Sequence, residues 1–354
     1  MNESIIFLSS ALQQPRHQKR ISLLREKYDV KVYYFYRDKY IENYKGYQNT
    51  AINIGEVKDG KYISRIFLLL KLFLILLFSK VSRVYCTSPD QAIISILAGK
   101  KVFFEIGDLY QVDGRNKIYK MFDYFIFSRI SGLIVTSPYY YSGYLIKYEK
   151  FLKNKIIVVE NKLLPNIETT INHYRVNNHA MNLSSSSKIK IGLIGSLMFK
   201  KSLEKIREFI IKDKNFELHI YGDGLYGMFS DIDNVFYHGR FKSPEDLSDI
   251  YSNIDINVIL YDTTNNNVKL ALPNKLYESI AFLKPIICSD NVALSEIVFR
   301  DGIGEVATND DLASAIYKII SNYDFYIHNM KLLDSSRYIC FEQSEIFELI
   351  NRAE

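Results

Sequence analysis

The sequence has little from which to build covalent or metal cross-links. Three cysteines in 354 residues, Cys86, Cys288 and Cys340, are widely spaced in apolar surroundings. That excludes a disulfide framework and reads as small hydrophobes in a reducing compartment. The histidines show no metal-ligand spacing such as paired positions on one helix face. A net charge of +5 comes with no run of arginines interleaved with aromatics, so nucleic acid is not implied and only a mild attraction to anionic lipid or phosphate is left. There is no repeat of fixed period, and low complexity is confined to Ser184–Ser187.

Long apolar runs are also missing. The stretch "RIFLLLKLFLILLFSK", Arg65 to Lys80, is broken by Lys71 and falls short of the ~20 residues a bilayer crossing needs. Two readings stay open for it: a helix buried on most sides, or one whose outer face leans on a membrane with Arg65, Lys71, Lys80 and Arg83 at lipid headgroups. The opening "MNESIIFLSSALQQP" has an acid where a basic leader would sit, which sets the expectation of a cytoplasmic protein, associated with the inner face of the membrane if that helix meets lipid.

What is present is ordinary globular material, 48% hydrophobic and 24% charged, with enough chain for two cores at ~150 residues each. Short β-rich runs, "SIIFLSS", "DVKVYYFY", "RVYCTS", "KKVFFEI", "SGLIVTS" and "KIIVVEN", alternate with helix-period segments. After the polar stretch His173–Lys188 the alternation resumes with "KIKIGLIGS", "FELHIYG", "NVFYHG", "DINVILY", "KPIICS" and "GIGEVAT". Such alternation predicts an α/β chain of two Rossmann-like, doubly wound parallel-sheet domains. The expected division is a domain over residues 1–175, a linker over 176–187, a second domain over 188–335, and a helical segment over 336–354 that packs back toward the first. Open parallel sheets bind ligands beyond the carboxyl ends of their strands, so a nucleotide on one domain and an acceptor on the other, with a cleft between them, is the expected arrangement.

The segment "PNKLYESIAFLKPIICSD", Pro273 to Asp290, is the most informative. It follows "DTTNNNVKLAL", a polar loop longer than the ~2 to 6 residues common for such connections. Proline suits a first helical turn and asparagine can accept from the free amides there, so Pro273 or Asn274 starts the helix. Free N–H groups, a partial positive charge and Lys275 together suit a diphosphate, while Glu278 can accept from two ribose hydroxyls. The plainer alternative is that Lys275 and Glu278 form a surface pair contributing ~0.2 to 0.5 kcal/mol.

The same segment resembles the nucleotide-sugar site of GT-B glycosyltransferases of family 4, in a bacterial surface-polysaccharide subgroup with a Pro-Ser/Asn-Lys motif. "IGLIGSLMFKKSLEKIREFI" resembles that family's first C-domain strand, glycine loop and helix, "FELHIYGDGLYGMF" its Tyr-Gly-x-Gly turn, and "NVFYHGRFKSPEDLSDIYSNIDINVIL" the strands that follow. "VFFEIGDLY" is similar to an N-domain strand end. The resemblance implies a retaining glycosyltransferase using a nucleotide diphosphate sugar, UDP-linked, with no metal or other cofactor, and a lipid-linked or polysaccharide acceptor of capsule, O-antigen or exopolysaccharide synthesis. It implies donor contacts at Gly195, Ser196, Lys200, Lys201, Gly222, Arg240, Asn274, Lys275 and Glu278, and catalytic roles for Asp108, Glu105 and Lys275. Gln14 and Arg16 fall on the acceptor or phosphate side.

The acids Glu105 and Asp108 also suit structural roles, and Arg16 also suits a solvated face. The chain departs from the family in three places: a first glutamate falls on Leu270, an arginine after the strand glycine is Ser196, and a histidine or arginine of the N-domain is Gly107. Those losses keep a non-catalytic binding subunit in view, and a GT-B sugar-nucleotide epimerase is the rival enzyme.

Overall fold

The structure, a computed structural model, describes residues 3–10, 12, 14–36, 50–57, 62–109, 117–177, 188–290, 292–307, 311–341 and 343–353. Their strands are β1 (Ser4–Ser9), β2 (Asp29–Tyr36), β3 (Ala51–Glu56), β4 (Arg83–Cys86), β5 (Lys101–Ile106), β6 (Gly132–Val135), β7 (Ile156–Val158), β8 (Ile189–Leu197), β9 (Phe216–Gly224), β10 (Val235–Gly239), β11 (Ile256–Ile259), β12 (Ile286–Ser289) and β13 (Gly304–Ala307). The helices are α1 (Pro15–Arg25), α2 (Tyr62–Phe78), α3 (Pro89–Leu97), α4 (Lys117–Arg129), α5 (Tyr139–Gly143), α6 (Glu149–Leu152), α7 (Glu168–Asn177), α8 (Lys200–Lys212), α9 (Leu247–Ser252), α10 (Asn266–Leu270), α11 (Asn274–Ala281), α12 (Ala293–Arg300), α13 (Leu312–Ser321), α14 (Tyr323–Leu332) and α15 (Gln343–Asn351).

Two sheets form, a seven-stranded one ordered β3-β2-β1-β4-β5-β6-β7 and a six-stranded one ordered β10-β9-β8-β11-β12-β13. Every pairing is parallel. Helices therefore cover both faces, and central strands such as β4, β6, β11 and β12 are buried along their whole length, as apolar runs without alternation should be. Both sheets reverse direction beside their first strand, the doubly wound pattern the alternation predicted.

The strand β3 was not foreseen. Its sequence AINIGE is half exposed and lies at a sheet edge, where period and burial leave little signal. Gly55, at φ +153°, lets α2 approach: a Cβ there would stand 2.4 Å from Leu68 Cδ2.

The chain divides into two units, Met1–Glu160 with Glu342–Glu354, and Asn161–Phe341. Residues 161–175, expected in the first domain, cluster with the second. Tyr174 sets its ring edge-on to Phe282 and donates to the Tyr251 carbonyl at 3.1 Å, and Arg175 donates to the carbonyls of Ile280 and Met330 at 2.9 Å. Most of the expected linker, 178–187, lies outside the described residues. The expected C-terminal segment is split: Ile339 bridges to Leu163 within the second unit, whereas α15 packs on β6 and β7 of the first, with Leu349 filling the space over Gly132.

α2 buries Leu72 and Leu76 completely but leaves its opposite face exposed, so it is not a helix enclosed on most sides. Three cations assigned to headgroups are engaged elsewhere: Arg65 pairs with Asp90 at 2.9 Å, Lys71 donates to the Ile54 carbonyl at 2.8 Å, and the largely buried Arg83 pairs with Glu3.

Candidate active site

At the carboxyl edge of the second sheet, β8 and β9 end side by side, with Gly195 opposite Gly222. Gly195 has φ +96° and Gly222 φ +142°, and a Cβ on Gly222 would lie 1.9 Å from the Gly195 carbonyl oxygen. Only glycine fits at either place, and the paired strand ends are stripped of side chains where a ligand can approach the backbone.

α11 opens against this floor. Pro273 is its N-cap, extended at φ −79° and ψ 150°, and no side chain caps the first turn. Asn274 is the exposed first helical residue, one of the two expected starts, and its side chain makes no capping bond. The uncapped amides and the helix dipole are thus left for an anion.

Lys275 lies across Gly195: a Cβ there would stand 2.9 Å from its Cε and 3.2 Å from its Nζ. The ammonium also lies 6.0 Å from the centre of the Tyr261 ring. Among the described residues it has neither a hydrogen bond nor an ion pair. Burial brings its pKa down to about 8, against the pull of Glu278 in the other direction.

Glu278 does not face open solvent as its expected ribose role required. It is 5% exposed, and Tyr251 donates its hydroxyl to Oε2 at 3.0 Å. The inward face of a short amphipathic helix, with Leu276, Tyr277, Ser279 and Ile280 also buried, carries it below the surface.

The two lysines at the start of α8 separate. Lys200 is exposed and lies 3.8 Å from Glu204, one turn on. Lys201 instead lines a groove of about 340 Å³ with Lys205, Tyr261, Asp262, Ser289 and Asp290. Ser196 is exposed at the end of β8, beside Asp223 of β9. Arg240, after Gly239, donates from Nε to Asp223 at 3.0 Å, and that bond with the Gly224 amide lowers the Asp223 pKa.

In the first unit, Asp108 is exposed just past the end of β5, whereas Glu105 is 1% exposed. Arg20 donates to Glu105 at 2.9 Å, Tyr85 gives it a hydroxyl bond, and Arg16 stands 3.8 Å away. Burial alone would raise its pKa, but the two arginines and these bonds bring it down to about 2. A carboxylate so enclosed touches no substrate, so the catalytic role expected of Glu105 is replaced by positioning α1. Arg16 is held with Nε buried and without a hydrogen bond, and its Nη2 reaches Gln14, the half-buried residue before α1, at 3.5 Å.

Sequence reasoning missed Arg20, Tyr261, Asp262 and Ser289. The long loop after β11 was the only signal. It opens with Asp262 accepting from the Thr264 amide and hydroxyl, and contains the short α10, capped by Asn265.

The family described as Glycosyl transferases group 1 matches residues 190–322. The chain resembles the Anabaena protein HepE, solved with UDP and glucose, over 99% of both chains with a TM-score of 0.72 at 14% identity. It also resembles sucrose-phosphate synthase from Thermosynechococcus elongatus, with a TM-score of 0.71 at 13% identity over 99% of this chain and 100% of that one. The fold is GT-B. By sequence, the succinoglycan biosynthesis protein ExoL of Rhizobium meliloti (strain 1021) is 28% identical over 167 residues, which are 45% of this chain and 41% of ExoL. The match therefore spans less than half of that relative. The residues that match the glycosyl transferases group 1 model include Gly195, Ser196, Lys200, Lys201, Gly222, Arg240, Asn274, Lys275 and Glu278, and do not reach Gln14, Arg16, Glu105 or Asp108.

Proposed function

We propose that the chain is a retaining glycosyltransferase that moves a sugar from a nucleotide diphosphate, UDP by preference, to a lipid-linked or polysaccharide acceptor of surface-polysaccharide synthesis. The observation that carries this reading is the ammonium of the half-buried Lys275, desolvated and without an anionic bond of its own, at the uncapped start of α11. A buried cation is costly until an anion completes it, and a diphosphate supplies one. HepE with UDP and ExoL by its name favour the donor and the pathway class.

In this reading the bond from the anomeric carbon to the phosphate oxygen breaks through an oxocarbenium-like state. A bond to the acceptor oxygen forms on the same face. The acceptor proton passes to the departing phosphate oxygen, so no strong protein base is needed. The α11 amides, Lys275 and Lys201 stabilise the charge that develops on the diphosphate, and preorganised donors of this kind commonly contribute ~3 to 4 kcal/mol each. Asp108 and Arg16 are the groups of the first unit assigned to sugar or acceptor.

The test is incubation with a panel of UDP-sugars, with and without lipid-linked saccharides, followed by product analysis. Acceptor-dependent release of UDP with retained anomeric configuration is expected. A new nucleotide sugar formed from donor alone would identify an epimerase, and no turnover with undiminished UDP binding would identify a binding subunit.

A further inference from the structure

We propose that the outer face of α2 is a docking surface for an anionic lipid bilayer. This does not rest on the donor site. On α2, Ile63, Phe67, Leu70, Leu74, Leu77 and Phe78 are from 45% to 80% exposed. At the helical period they fall within one stripe, opposite the buried Leu72 and Leu76. A contiguous exposed patch of this kind on a folded chain marks an interaction surface.

The strand order, with right-handed crossovers, places α2, α3 and α4 side by side on one face of the first sheet. The apolar surface continues across that layer through Leu97 of α3 to Met121 and Tyr124 of α4, each more than half exposed.

Charge selects the occupant. α2 contains no acid, Asp90 of α3 is held by Arg65, and Asp123 of α4 is buried under the Tyr144 hydroxyl. Among the described residues of the three helices and the turn after α2, the exposed charges free to meet it are cations, Lys80 after its end and Lys120 and Arg129 on α4, while Lys71 at its edge donates to the Ile54 carbonyl at 2.8 Å and Glu56 of the edge strand β3 is the exposed acid beside α2. A second copy docked through the same face would bring these cations together with no acid from the three helices to pair them. An anionic lipid surface neutralises them while its acyl region takes up the stripe. Long lysine stems suit that geometry, because they can lie along apolar surface and place the ammonium among headgroups. Among the described residues no helix is long and apolar enough to cross a membrane, so the contact is a lateral one.

The full chain is to be sedimented with phosphatidylcholine vesicles, with and without phosphatidylglycerol. Binding to the anionic vesicles, weakened by salt and at least tenfold weaker on neutral ones, is expected. Phe67→Ser with Leu70→Ser and Leu74→Ser should lower binding at least tenfold while leaving the melting temperature and UDP binding in place. Lys80→Glu with Lys120→Glu should also lower it, and keeps the test open should the triple variant fail to fold. Equal recovery with and without vesicles, equal binding to neutral lipid, or a solution dimer abolished by the triple variant would overturn the proposal.

Discussion

The guanidinium of Arg16 occupies the space that any side chain at Gly107 would need: a Cβ on Gly107 would lie 1.5 Å from Nη1 and 1.9 Å from Cζ. α1 thus delivers a cation to the end of β5. Gly107→Ala should expel Arg16 and lower kcat/KM about tenfold or more with little effect on melting temperature. In the Arg16→Ala background the same glycine substitution should have almost no further effect, and a double-mutant cycle measures that coupling. Additive losses would show that the two residues act separately.

Glu105 faces Arg16 directly at 3.8 Å, from within the buried cluster it forms with Arg20 and Tyr85. Removing one member of such a cluster strands buried charge, so Glu105→Ala should cost about 3 to 5 kcal/mol in chemical denaturation. Its pKa falls from 4.5 to about 2 on folding. A lowered carboxylate pKa contributes stability above the unfolded value and loses it as pH falls through the folded one. Stability of the native chain should therefore drop between pH 4.5 and about 2, and the Glu105→Gln variant should show a shallower drop over that window.

Lys200 and Lys201 provide a paired control. Lys201 lines the groove beside Tyr261 and Asp262, whereas Lys200 stands near Glu204 on the exposed side of α8. Lys201→Ala should weaken UDP binding about tenfold, the effect of one charge-assisted hydrogen bond. Lys200→Ala should leave the Kd within about twofold, since an exposed i,i+4 pair contributes only a few tenths of a kcal/mol. The reverse order would place the diphosphate on the other side of α8.

The Lys275 amine gives the site a pH signature. Its folded pKa is lowered from 10.5 to about 8, so folding is penalised fully below pH 8 and less as pH rises toward 10.5. A bound diphosphate favours the charged amine and raises that pKa again. UDP affinity should therefore decline as pH rises through about 8, and binding near pH 8.5 should take up protons, which titration calorimetry in buffers of different ionisation enthalpy detects. A flat pH profile from 7 to 9.5 would show that the amine does not meet the phosphates.

The foreseen strands were legible because parallel strands buried on both faces leave continuous apolar runs. The edge strand β3 escaped because Ile52, Asn53 and Glu56 are exposed and Gly55 bends it. Lys275 was legible as a lysine in the first turn of a helix, whereas Gly195 and Gly222 came only from the resemblance, and their facing arrangement belongs to the folded sheet. Glu105 was misread because residue type alone does not tell which face of β5 it occupies, and its partner Arg20 comes from a helix distant in sequence. Tyr261, Asp262 and Ser289 meet only when β11 and β12 lie side by side, with the Tyr261 amide donating to Ser289 Oγ at 2.7 Å, a relation that no local pattern encodes.

The most direct test is a UDP titration of the native chain and its Lys275→Met variant at pH 7, read beside their ligand-free melting temperatures. Removing an uncompensated buried charge should leave the free fold as stable or more so, by about 1 kcal/mol, while weakening UDP by roughly 1.5 to 3 kcal/mol. Undiminished UDP affinity in a folded Lys275→Met chain would contradict a diphosphate site at the start of α11.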